Sequence, residues 1–155
     1  MLSRDLDSLI GEREVSAVNE WLKSGKQIHS MRDHPLHNKP LMGGLWGARL
    51  SIKKTQIQWQ QSWKKILNNK LAFSSRNIKG PDQTLLKAVW KWGKHLSLEH
   101  DSYNCGKFPN SVGFPTKRKK GNMGSFVGGR SFDGFLKIQC PLSCRRKGHM
   151  DWQYC

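Results

Sequence analysis

Hydrophobic and polar positions alternate between two periods along the first hundred residues. From Glu12 to Ser24 the apolar side chains Val15, Val18, Trp21 and Leu22 recur at helical spacing, and Gly25 is a natural stop. Gln27–Met31 then reads as a short strand, with residues 32–37 (Arg-Asp-His-Pro-Leu-His) as the loop leaving it. Met1 and Leu2 read as the end of an earlier buried strand, and Arg4–Ser8 as the loop at its carboxyl end. Strand, helix and strand in that order predict a βαβ unit whose parallel strands deliver Arg4-Asp5-Leu6-Asp7 and Arg32-Asp33-His34 to one rim of the sheet.

Leu41–Ala48 is apolar yet holds Gly43, Gly44 and Gly47, which marks a close approach of backbone to a neighbour. Ile57, Trp59, Trp63, Ile66 and Leu67 predict a basic amphipathic helix within 56–71, followed by a polar loop through Ser74, Ser75 and Gly80. Its interleaved Trp and Lys suit a nucleic-acid or membrane surface, while packing of the Trp side on the domain is the plainer account. Pro81-Asp82-Gln83 opens a further helix, with Asp82 as its cap, Leu85, Leu86, Val89 and Trp90 as its inward face, and an end near Gly93. Leu98–Tyr103 is expected to bring His100 and two carboxylates back towards the rim, and Phe135–Ile138 to form a strand in an otherwise irregular tail.

Composition narrows this picture. The chain of 155 residues carries 27 Lys+Arg against 11 Asp+Glu, and all of the net +16 falls on residues 41–155 because the first forty hold six of each sign. Such a surface attracts polyanions, from nucleic acid to nucleotide phosphates, and includes the solvated run Lys117–Lys120. No stretch has the length of a membrane span and no targeting signal opens the chain. Four cysteines stand at 105, 140, 144 and 155. Cys140, Cys144, His149 and Cys155 could ligate zinc, but their spacing fits no common zinc motif, and two disulfides are the preferred reading, with the pairing open.

The candidate chemistry begins at Asp5 and Asp7. In an extended segment residues i and i+2 point the same way, so the two carboxylates could share a hard divalent cation; the alternative is that Asp5, Asp7 and Ser8 only open the following helix. No Walker lysine or dinucleotide fingerprint accompanies them, and no Gly-x-Ser-x-Gly or Cys/His arrangement suggests a hydrolase.

Taken in order, Ser3-Arg-Asp-Leu-Asp-Ser8, Arg13-Glu14, Glu20-Trp21, Met31-Arg-Asp-His-Pro35, Gly43-Gly-Leu-Trp-Gly47, Asp82-Gln83, His100-Asp-Ser-Tyr103 and Phe114-Pro-Thr-Lys-Arg118 resemble a glycosyltransferase-like family with an Asp-x-Asp motif. That family is of the GT-A type and distantly similar to glycogenin-like enzymes. The resemblance runs from Ser3 to about Phe126. It implies an α/β fold: an incomplete GT-A-like, Rossmann-like sheet with flanking helices over 1–104, and a basic Gly/Pro/Cys-rich tail over 105–155 packed on the same domain. It implies Mn²⁺ or Mg²⁺ held by Asp5, Asp7 and His100, with Asp82 and Gln83 facing the reacting carbon. Gly43 and Gly44 would admit the donor sugar or acceptor, and Arg32, His34 and Lys117 would bind substrate, the basic groups balancing phosphate charge.

The partners implied are a nucleotide-sugar donor and a glycan or small acceptor, in a parent protein of the secretory lumen. The half that binds base and ribose would precede residue 1, so the chain is expected to be the C-terminal part of such a domain and inactive by itself. Two readings compete: a small basic nucleic-acid-binding protein, and a disulfide-stapled, non-catalytic carbohydrate-binding module.

Overall fold

The computed structural model describes residues 1–74, 80–118, 126–130 and 133–155, so Ser75 of the expected polar loop and Lys119 and Lys120 of the basic run lie outside the described residues. A four-stranded mixed sheet lies between helices. Its strands are β1 (Leu2–Arg4), β2 (Ile28–Arg32), β3 (Leu45–Ala48) and β4 (Ser97–Asp101), in the spatial order β1-β3-β2-β4. β3 runs antiparallel to both β1 and β2, and β4 parallel to β2. β1 and β2 therefore do point the same way, as the βαβ pattern predicts, but β3 is slotted between them.

Helix α1 (Glu12–Lys23) joins β1 to β2, with Glu12 and Glu14 in its first turn and Lys23 in its last, both favourable to the helix dipole. It turns a different face inward from the one expected: Val15 and Leu22 are about half exposed, whereas Arg13, Glu14, Ala17 and Trp21 are buried. The charged pair tolerates burial because each side chain has an opposite charge waiting. Arg4 grips Glu14 through two nitrogens at 2.5 and 2.8 Å, and Arg13 grips Asp33 at 2.7 and 2.9 Å.

Ala17, Met31, Leu45, Phe114 and Val127 form the apolar layer on the α1 side of the sheet. On the opposite face Ile28, Trp46, Ala48 and Leu41 meet Ile66 and Val89, from α2 (Lys53–Leu67) and α5 (Lys87–Gly93). Sandwiching explains why β2 and β3 are buried at every position; β3 reads as a continuous apolar run, whereas β2 buries His29, Ser30 and Arg32 on hydrogen-bond partners. Phe114 and Val127 belong to the tail, so residues beyond 104 complete the same core.

Two expected elements differ. The helix from Pro81 breaks at Leu86 into α4 (Pro81–Leu85) and α5, after α3 (Lys70–Ser74). Gly80, at φ +101°, is the N-cap of α4, and Asp82 makes no capping bond. Residues 135–138 form no strand; that segment is held by Tyr103, whose hydroxyl donates to the Ile138 carbonyl at 2.7 Å. The cysteines pair as Cys105–Cys144 and Cys140–Cys155, which removes the zinc alternative, and His149 stacks on Trp152 instead. Two disulfides are compatible with an oxidising secretory or extracellular environment. Among the described residues no helix is long and apolar enough to cross a membrane.

Candidate functional site

The carboxyl ends of β1, β2 and β4 and the start of β3 converge on one rim, the usual ligand-binding end of such a sheet. The β1–β3 register pairs Arg4 with Leu45, so the next step outward sets Asp5 against Gly44. A Cβ on Gly44 would fall on the Asp5 carboxyl carbon and 2.6 Å from its backbone nitrogen. A Cβ on Gly43 would fall on an oxygen of Asp82, carried in by α4. The two glycines are thus the space into which Asp5 and Asp82 fit, and the Ser3 hydroxyl fixes the strip by donating to the Gly43 carbonyl at 2.7 Å.

Asp7 stands in a turn after β1, closed by Ser8 N–H donating to the Asp5 carbonyl at 3.3 Å. The Asp-x-Asp is therefore a turn rather than the extended segment that spacing alone suggests. Asp7 is 61 % exposed and pairs with Arg130 at 3.1 Å. Two carboxylates with open positions are a donor set that suits Mg²⁺ or Mn²⁺, which keep waters and substrate phosphates as their remaining ligands. In this structure Asp7 has the Arg130 guanidinium as its counter-charge, which a metal ion would have to displace.

His100 does not join them. It lies in β4, three strand positions from β1, roughly 14 Å away at the usual strand spacing. Both of its ring nitrogens are engaged: Nδ1 with His29 Nε2 at 2.9 Å, and Nε2 with Glu20 at 3.3 Å. The pattern fixes the protons, since His100 must donate to Glu20 and so accept from His29, leaving the buried His29 Nδ1 without a partner. Burial holds both histidines below the ordinary imidazole range, for His29 with repulsion from His100 added. The His100 hydrogen bond, with Arg146 against the same carboxylate, holds Glu20 at about 2 although burial opposes this.

Arg32 is likewise committed elsewhere. Fully buried, it meets Asp101 at 2.5 Å and Glu99 at 2.6 Å, donates to the Pro40 carbonyl at 2.9 Å and lies over the Phe108 ring, so it presents nothing to a phosphate. Its neighbour Asp33 is the hub that sequence reasoning missed. Its carboxylate accepts from Arg13, from Ser102 at 2.5 Å, from Arg118 at 2.8 Å and from the Val127 amide at 2.9 Å. Burial would raise its pKa, but Arg13 and Arg118 outweigh that and hold it at about 2. No periodicity signals Asp33, whose partners come from residues 13, 102, 118 and 127.

His34 and His37 sit above this hub against Phe126, each accepting a backbone N–H at Nδ1. Burial, and then His34, lower His37 to about 4, so both are neutral at pH 7. Lys117 is exposed beside Arg118. The segment 126–130 runs from these histidines to the first half of the rim: the Gly128 carbonyl accepts from Ser8 and Arg130 holds Asp7.

Beside Gly43 and Asp82 opens a cavity of about 450 Å³. Ser3, Gly43 and Asp82 form its polar end, and Trp46, Trp59 and Trp63 much of its apolar wall, with Trp59 and Trp63 stacked at 5.6 Å. Gln83 follows Asp82 on α4 and is half-buried. The structure therefore gathers Asp5, Gly43, Gly44 and Asp82, leaves Asp7 at their margin, and draws Arg32 and His100 away.

What these features define is a mixed α/β domain, helices on both faces of the sheet, with carboxylates and glycines at its carboxyl rim. No family model matches this chain, nor does any curated protein or solved structure.

Proposed function

We propose that this chain is part of a metal-dependent nucleotide-sugar glycosyltransferase-like protein, with the site at Asp5, Gly43, Gly44 and Asp82. The observation that carries the reading is the fit of the Asp5 and Asp82 carboxylates into the space left by two adjacent glycines. Residues distant in sequence, and ordered as in the family the chain resembles, meet at one rim.

Asp5 and Asp7 are the residues to hold Mn²⁺ or Mg²⁺, without His100. Bound there with a sugar diphosphate, the cation supplies Lewis-acid stabilisation of the leaving phosphate. The chain's own part is positioning. The missing side chains at Gly43 and Gly44 let Asp82 and Asp5 seat against the sheet rim, which sets their carboxylates beside the cavity that would take the sugar. The Asp82 carboxylate, which lines the cavity, accepts a hydrogen bond from the bound sugar or faces positive charge developing at the reacting carbon. The stacked Trp59 and Trp63 offer apolar faces to an acceptor.

β1 and β4 are the two edge strands, and on this reading the base and ribose of the donor are held by a part of the fold that would lie beyond β1. The 155-residue chain alone accordingly gives no measurable transfer from a nucleotide sugar; clear turnover by the purified chain contradicts this. Paramagnetic Mn²⁺ tests the site itself. In a nuclear magnetic resonance titration the amides of Asp5, Gly43, Gly44 and Asp82 broaden at the lowest Mn²⁺ additions and that of His100 only at higher ones. Broadening centred on His100, or spread evenly over the chain, rejects the assignment.

The aromatic cavity also favours a second reading, a carbohydrate-binding module without catalysis. Glycan binding that is indifferent to a chelator separates it from the first.

A further inference from the structure

The helix beside the cavity has an outer surface of which the transfer reading uses Trp63 alone. On α2, Ile57, Trp63 and Leu67 are 43 %, 46 % and 47 % exposed. Trp63 and Leu67 lie one turn apart, so they form one apolar flank. Lys53, Lys54, Lys64 and Lys65, all exposed, occupy the rest of the outer face, and α2 carries no acidic residue. Lys87, Lys91 and Lys94 extend the positive charge over the neighbouring helical layer, where Asp82 is the one carboxylate from residue 49 to residue 98.

We propose that this face of α2 docks on an anionic lipid surface, with Trp63 and Leu67 entering the headgroup region and the lysines resting on the phosphates. Charge complementarity selects the occupant. A second copy of a chain with net charge +16 would be repelled, whereas an anionic leaflet concentrates such a patch at its surface. The kind of side chain separates lipid from nucleic acid. All the basic residues on α2 are Lys, whose long stems carry the charge outward over apolar surface, rather than the bidentate Arg used to fork phosphates. The exposed groups among them are aliphatic as well as aromatic, and Leu67 and Ile57 give a base nothing to stack on. The proposal stands on this face alone and is independent of the transfer reading. Its consequence for that site is geometric: Trp63 also lines the cavity, so the cavity would open at the bilayer surface.

The test is co-sedimentation of the whole chain with phosphatidylcholine vesicles, with and without about 30 % phosphatidylserine, at low and high salt, beside a single-stranded oligothymidylate titration. The proposal predicts binding to the phosphatidylserine vesicles only, weakening with salt. Lys64→Gln with Lys65→Gln weakens it roughly thirtyfold. Trp63→Ser with Leu67→Ser weakens it about tenfold or more at unchanged charge, and the blue shift of tryptophan emission on vesicles disappears. Circular dichroism confirms that these surface variants stay folded. Equal binding to both vesicle types, charge-only binding that ignores the Trp63/Leu67 change, or binding to oligothymidylate without binding to vesicles each overturns the proposal, the last in favour of a nucleic-acid surface.

Discussion

Asp33 has an ordinary side chain in an extraordinary position: fully buried, two arginines on its carboxylate, and a pKa of about 2 against 3.8 unperturbed. Removing its charge strands Arg13 and Arg118 in the interior. Asp33→Asn is expected to cost about 3–5 kcal/mol, read as a fall in denaturation midpoint, whereas a change within error would mean that the hub is incidental. The pH dependence follows with a definite sign. Because the folded pKa values of Asp33 and Glu20 are depressed, their contribution is complete above about pH 4 and is lost as pH falls through about 2. His29, His37 and His100 are also depressed, here from 6.5. The unfolded chain therefore takes up their protons first, and stability present above pH 6.5 drains away towards the value of about 4 held by His37. A denaturation series from pH 8 to pH 3 should show this loss begin near neutrality; a flat profile down to pH 5 contradicts the buried histidine pair.

At the scale of elements, what could be read beforehand was what repeats locally. The periods of 12–24 and 27–31 place α1 and β2, and Leu98–Tyr103, expected only to return His100 and two carboxylates to the rim, overlaps β4. The glycines at 43 and 44 announce a close approach, although what approaches, Asp5 and Asp82, depends on pairing across forty residues and cannot be read from spacing. Nor can the inward face of α1, since Arg13 and Glu14 are buried by partners on other elements. His100 illustrates the same limit: its motif suggests a ligand, but β4 pairs with β2 on the far side of the sheet from β1. The irregular tail depends on its crosslinks. On the chain-entropy account, closing 39 residues with Cys105–Cys144 contributes about 4 kcal/mol and closing 15 with Cys140–Cys155 about 3 kcal/mol. Cys105→Ser with Cys144→Ser should therefore lower the unfolding free energy more than Cys140→Ser with Cys155→Ser; the reverse order would show that native packing, rather than loop closure, sets their worth.

For the whole molecule, charge and architecture divide the work. The sheet rim gathers carboxylates and glycines at one end, while the lysine-rich helices on one face share the chain's positive charge with the basic tail. An anionic ligand is drawn by the second and held, on this account, by a cation at the first. The most direct test of that claim is calorimetric titration of Mn²⁺ into the 155-residue chain, with and without uridine diphosphate, beside the Asp5→Asn/Asp7→Asn variant. The account predicts Mn²⁺ binding that tightens when the diphosphate is present and disappears in the variant, with thermal stability in the absence of metal unchanged by these two exposed substitutions. A folded chain that binds no Mn²⁺ under either condition, or a variant that binds it as well as the original, contradicts a metal site at Asp5 and Asp7.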